Sequence, residues 1–188
     1  MAGRSRGRPR GGVREPSPGT VADLTPDADP AAVARAIALR QLTVAPRTRA
    51  QLAEAMARRE VPAEVAAQVL ERFADVGLVD DAEYARMWVE SRHTGRGLAR
   101  RALEHELRSR GVDAELAREA AGVVDEDAEL AAAIALCRRR VASMRSDEPA
   151  RRDRRLLSML ARKGYGPGVA LRAIRAVCAD ATELDLTD

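Results

Sequence analysis

Aromatic residues make up 2% of the chain. They are Phe73, Tyr84, Trp88 and Tyr165, so a thick core built on large rings is excluded. The two cysteines, Cys137 and Cys178, stand 41 residues apart with no C-x-x-C, which supports neither a disulfide framework nor a zinc site. Each falls on an apolar helical stripe and reads as a buried thiol. Lysine occurs once, at Lys163, a scarcity that GC-rich codons explain as well as any guanidinium chemistry. No apolar run approaches the roughly 20 residues of a membrane span. The N-terminal arginines precede no apolar h-region, so a secretory signal is not expected and a cytoplasmic location without membrane association is. No alternating stretch is long enough to argue for a sheet. Walker, H-E-x-x-H and G-x-S-x-G motifs are absent, and the sequence predicts no enzyme, cofactor or metal.

What is present is alanine, leucine and valine at helical spacing, with hydrophobic residues at 46%. This composition predicts slender, closely packed helices and an all-α fold. Net charge is only +3, but it is unevenly spread. Residues 1–15 hold five arginines and one glutamate; residues 92–110 hold six arginines against Glu104 and Glu106. Residues 138–155 hold eight arginines against Asp147, Glu148 and Asp153, whereas the last nine residues hold four acids and no base. Such patches predict a polyanionic partner or an acidic protein surface.

One turn is spoken three times. "LRSRGVDAEL" (107–116) looks like a helix end, a glycine stop at Gly111 and a new cap at Asp113; "AMARREVPAEV" lies 51 residues before it and "LARKGYGPGVAL" 53 after. A turn recurring at near-constant spacing marks a repeat architecture. Leu52, Leu103 and Leu156 align in the second helices, followed by Met56, Leu107 and Leu160. Val65, Leu116 and Val169 align in the third helices, and Ile37, Trp88 and Ile134 in the first. "AIALR" and "AIALC" are nearly the same words. Caps punctuate the units: Asp29 before Pro30, Thr48 with Gln51 at capping-box spacing, and Asp80 with Glu83. Five segments are therefore expected: a disordered basic tail (1–29), helical repeats over 30–78, 79–124 and 125–178, and an acidic tail (179–188). A unit of about fifty residues buries little surface alone, so neighbours are expected to share a core, forming an elongated array with some curvature.

Several motifs invite a functional reading. "RTRAQLAEAMARREVPAEVAAQVLERFADVGLV" has the rhythm of a winged helix-turn-helix, but a capped helix, "DDAEYARMWVESR", follows where a β-hairpin would stand. "RGRPR", Arg6 to Arg10, matches an AT-hook core, yet in an Arg/Gly/Pro-rich tail it reads as a segment lightly attracting polyanions. Asp80 and Asp81 read as helix caps, not a catalytic pair. His93 and His105 are too far apart for a short metal motif. The arginine sets are the candidate site: Arg92, Arg96, Arg100, Arg101 and Arg108 in repeat two, with Arg151, Arg152 and Arg155 in repeat three. Pairing along the helix with Glu104 neutralises only part of this charge.

The stretch "FADVGLVDDAEYARMWVESR…GRGLARRALEHELRSRGV" resembles the RecX family of recombination regulators. Phe73, Gly77, Leu78, Asp80, Asp81, Tyr84, Ala85, Trp88, Arg92, Gly97, Leu103, Leu107, Gly111 and Val112 carry the resemblance. It spans roughly residues 31–178, with Tyr84 where phenylalanine is usual and Glu60 in place of the turn glycine. The resemblance implies tandem three-helix repeats. It also implies a non-enzymatic protein, expected as a monomer, that lodges in the groove of the RecA recombinase filament on DNA. There it would depress ATP hydrolysis, strand exchange and co-protease activity. The alternative is a sequence-tolerant DNA-binding repeat protein acting through arginine–phosphate contacts, whose binding would fall steeply with salt.

Overall fold

The computed structural model describes residues 29–144 and 147–185, with residues 179–185 described by backbone alone. The "RGRPR" motif lies outside the described residues, as do nearly all of the expected basic tail and the end of the acidic one. Among the described residues there are nine helices and no strand. Repeat one holds α1 (Pro30–Val44), α2 (Arg49–Ala57) and α3 (Ala63–Asp75). Repeat two holds α4 (Asp81–Arg96), α5 (Arg100–Ser109) and α6 (Ala114–Gly122). Repeat three holds α7 (Glu126–Val141), α8 (Pro149–Arg162) and α9 (Pro167–Asp185), the last continuing into the stretch read as acidic tail.

Short polar side chains start most of the helices. The Asp29 carboxylate accepts from the amides of Ala31 and Ala32, and Asp113 from those of Glu115 and Leu116. Thr48 and Gln51 form the complete capping box, which satisfies two donors that the helix itself leaves unpaired. Asp80 caps α4 at 2.9 Å from the Glu83 amide.

Burial confirms the repeat position by position. Leu52, Leu103 and Leu156 are fully buried, and so are Met56, Leu107 and Leu160 four residues on. In the third helices the equivalent buried sets are Ala66, Val69, Leu70 and Phe73; Ala117, Ala120, Ala121 and Val124; and Ala170, Ala173, Ile174 and Val177. The first helices need a correction. Ala34, Ala85 and Ala133 are fully buried, with Ala38, Val89 and Cys137 equivalent and almost as deep. This register sets Leu136, not Ile134, opposite Ile37 and Trp88, and Ile134 is only partly buried. The matching words "AIALR" and "AIALC" are two residues out of step, because α7 starts earlier relative to its core than α1 does.

The expectation of a shared core also fails. The buried residues fall into three clusters, one per repeat, with a few residues crossing at the boundaries: Val79 joins the cluster of repeat one, Ala99 joins that of repeat three, and Ala128 packs against that of repeat two. Every extensively packed helix pair lies within a single repeat. The modules are instead tied by two similar joints. At the first, the Thr48 hydroxyl donates to the Arg110 carbonyl at 2.7 Å, and the Arg49 amide donates to Asp81 Oδ1 at 2.8 Å. At the second, the Ala99 amide donates to the Lys163 carbonyl at 3.0 Å and the Arg100 amide to Glu129 Oε1 at 2.8 Å. The Tyr165 hydroxyl adds a bond to the Gly97 carbonyl at 3.1 Å.

The repeated turn explains its glycine at these joints. Gly111 has φ +80, and a Cβ there would come within 2.2 Å of the Ala50 Cβ of the preceding repeat. Gly164 has φ +90, and its Cβ would lie 2.6 Å from that of Ala102. In repeat one Glu60 holds the same left-handed turn at φ +59 and is exposed. Its side chain is exposed, so what opposes it is the backbone strain of the left-handed region.

Candidate partner-binding surface

The predicted arginines divide into two groups. Arg92 and Arg152 are built into the fold. The Arg92 guanidinium lies 4.0 Å from the Trp88 ring centroid, with its Nε 3.6 Å from Glu106. The Arg110 guanidinium lies 3.7 Å from the same centroid. The Trp88 indole N–H donates to Glu106 at 2.9 Å, and Tyr84 stacks on the ring at 5.9 Å. Cation–π attraction of this kind contributes about 0.5–2 kcal/mol and holds both guanidinium groups against repeat two. Arg152 donates to Cys178 Sγ at 3.2 Å and approaches Asp153 at 3.3 Å.

The others point outward. Arg96 ends α4, Arg100 and Arg101 open α5, and Arg108 closes it; all four side chains are exposed. Arg100 pairs with Glu104 at 3.4 Å, in the partly solvated geometry that contributes only tenths of a kcal/mol. Arg151 and Arg155 are exposed on α8, Arg155 paired with Asp147. Asp80 and Asp81 both cap helices, but Asp81 caps α2 of the preceding repeat rather than its own helix.

Residues missed in the sequence complete the surface. Arg140 at the end of α7 joins Arg151, Arg154, Arg155 and Arg162 of α8 around an open groove of about 600 Å³. From Arg162 the charge passes to Lys163, whose ammonium donates to the Arg96 carbonyl across the joint. Burial and the neighbouring Arg139 and Arg96 charges lower the Lys163 pKa. The end of α8 thus meets the start of α5, and the joint brings Lys163 of repeat three against Arg96 of repeat two. The "RR" pairs in the sequence do not reveal this, because the contact is made at a joint that only the fold creates.

Three three-helix modules, tied by hydrogen-bonded joints and with exposed arginines on the second and third, define a tandem three-helix-repeat protein. Among the described residues no helix is long and apolar enough to cross a membrane. Residues 34–73, 80–120 and 127–174 match, in order, the first, second and third three-helix domains of RecX. The chain belongs to the RecX family. It is 56% identical over 142 residues to a regulatory protein RecX of Thermobifida fusca, covering 76% of this chain and 77% of that one. It is 53% identical over 150 residues to the regulatory protein RecX of Streptomyces coelicolor, covering 80% of each. The crystal structure of RecX from Lactobacillus salivarius superposes with a TM-score of 0.73 at 16% identity, over 80% of this chain and 98% of that one, a likeness of fold.

Proposed function

We propose that the protein regulates recombination by binding the RecA recombinase filament and depressing its ATPase, strand-exchange and co-protease activities. The exposed arginines of repeats two and three carry this reading, together with the name regulatory protein RecX that its relatives bear. A linear array can touch several filament subunits at once. Weak contacts then act together through a high effective concentration, so assembled filament is preferred over free subunits. Arg96, Arg100, Arg101 and Arg108 meet acidic groups of the filament, using both guanidinium arms where geometry allows. Arg92 and Arg152 hold the surface in shape from behind. A body seated in the filament groove excludes the second duplex and resists the subunit motions of turnover.

A strand-exchange assay with the cognate recombinase tests this. Wild-type protein inhibits in a titratable manner. Arg100→Glu/Arg101→Glu keeps its helical circular dichroism but requires at least about tenfold more protein for the same inhibition, as expected when interfacial charge pairs are lost. Undiminished inhibition by that variant contradicts the surface; absence of inhibition by the wild type contradicts the function.

A further inference from the structure

The groove at the end of α7 has a counterpart in repeat one, and the residues at its positions differ in charge across the three repeats. In repeat one it is lined by Gln41, Arg47, Gln51, Glu54 and Arg58, encloses about 280 Å³, and carries a bridge between Arg58 and Glu54 at 2.7 Å. In repeat two the equivalent of Gln41 is Arg92, held by Trp88 and Glu106, and the α5 positions are Leu98, Ala102, His105 and Ser109. In repeat three the same positions are Arg140, Arg151, Arg155, Ser158 and Arg162, with Arg154 added, around about 600 Å³. The module is thus copied, and one copy of its groove is uniformly cationic.

We infer that the repeat-three groove, formed by Arg140, Arg151, Arg154, Arg155 and Arg162, is a binding site for the phosphodiester backbone of a nucleic acid. This deepens the filament reading by assigning repeat three to the strand and repeat two to protein, but the binding itself needs no recombinase. On α8 the arginines stand at 151, 154, 155 and 162, one face of the helix. That stripe is about 16 Å long at 1.5 Å per residue, the axial length of about five base-pair steps of duplex at 3.4 Å each. Arg140 faces it from a second helix, so the charge converges and is not simply a solvated face of α8. Arg155 pairs with Asp147, and the Arg162 guanidinium donates to Ser158. Asp147 is the one carboxylate that pairs with a groove arginine among the described residues.

An acidic protein segment fits less well. Protein partners anchor through apolar or aromatic side chains seated in pockets. Here the floor offers only Met159, partly buried, and Met144, already buried in the repeat-three core. Nor does the groove carry aromatics on which bases could stack, so the ligand is read through its phosphates and sequence is not discriminated.

Fluorescence anisotropy of labelled oligonucleotides with the full chain, without recombinase, tests the assignment. Single-stranded and duplex probes of equal length form two arms, and a poly-glutamate peptide forms a third. Binding of either nucleic acid is expected to weaken with salt by about 0.7 log units per log salt per phosphate for single strands, or about 0.9 for duplex. Arg151→Glu/Arg154→Glu should weaken it at least tenfold and reduce the single-strand slope by about 1.4, two phosphate contacts' worth. The charge-matched Arg40→Glu/Arg59→Glu variant in repeat one should bind as wild type, with helical circular dichroism unchanged in both. The stronger arm identifies the strand form. Undiminished binding by the repeat-three variant, an equal loss in the repeat-one variant, or poly-glutamate binding as tight as that of the oligonucleotides overturns the inference. Strand-exchange inhibition can survive any of these results, so this failure and that of the filament reading are separable.

Discussion

The turn residues make the sharpest predictions at the scale of single side chains. Gly111→Ala and Gly164→Ala each combine left-handed backbone strain with a methyl driven into the preceding repeat. Each should destabilise by about 2–4 kcal/mol in urea unfolding. Glu60→Gly should instead stabilise by about 1 kcal/mol, since its turn is strained and its side chain is exposed. A second prediction concerns alkaline pH. Burial pushes the Cys137 thiol from 9.0 up to about 11 and the Tyr165 hydroxyl from 10.0 up to about 12. Both groups stay neutral in the fold while the unfolded chain ionises. Their stabilisation is therefore intact below pH 9 and is lost as pH rises through these two windows. Denaturation monitored in repeat three against pH should show that decline; a flat profile from pH 9 to 12 would contradict the burial of both groups. The glycines were legible in the sequence as stops, because φ above zero is a local demand. Their second role was not, since the alanine that a Cβ at each would strike lies about sixty residues away.

At the scale of helices, the joints depend on capping in trans. The amide of Arg49 at the start of α2 is served by Asp81 of repeat two, and that of Arg100 at the start of α5 by Glu129 of repeat three. The start of α8, in contrast, has no side-chain cap among the described residues. Asp81→Ala and Glu129→Ala should each cost about 1 kcal/mol. They should also speed hydrogen exchange at Arg49 and Arg100 respectively, whereas unaltered exchange would show the caps to be dispensable. Caps that act within their own helix, such as Thr48 with Gln51, were readable because they obey a fixed spacing. Asp81 was readable as a cap but not as a cap of another module. The third first-helix was misaligned because its wording copies α1 while its burial does not: Leu136 and Cys137 face the core where Ile134 only flanks it.

For the whole molecule, three separate cores imply quasi-independent modules coupled through narrow joints. Leu52→Ala should cost about 3 kcal/mol. It should strip exchange protection from repeat one while leaving repeat three protected; loss of protection throughout would indicate a single cooperative unit. Tandem organisation and the all-α class were legible because the buried leucines recur at nearly equal spacing. The binding surface was legible only in part: six of the eight predicted arginines are exposed, but Arg140 and Arg162 join the α8 arginines, and Lys163 meets Arg96, only once α8 packs beside α7 and its end reaches repeat two. Electron cryomicroscopy of recombinase filaments decorated with this chain tests the central claim most directly. The account predicts one chain spanning more than one filament subunit along the groove, with Arg96, Arg100 and Arg101 toward protein and the α7–α8 groove toward the nucleic-acid strand. A chain held to a single subunit by one repeat, or seated with its arginine flank toward solvent, would contradict it.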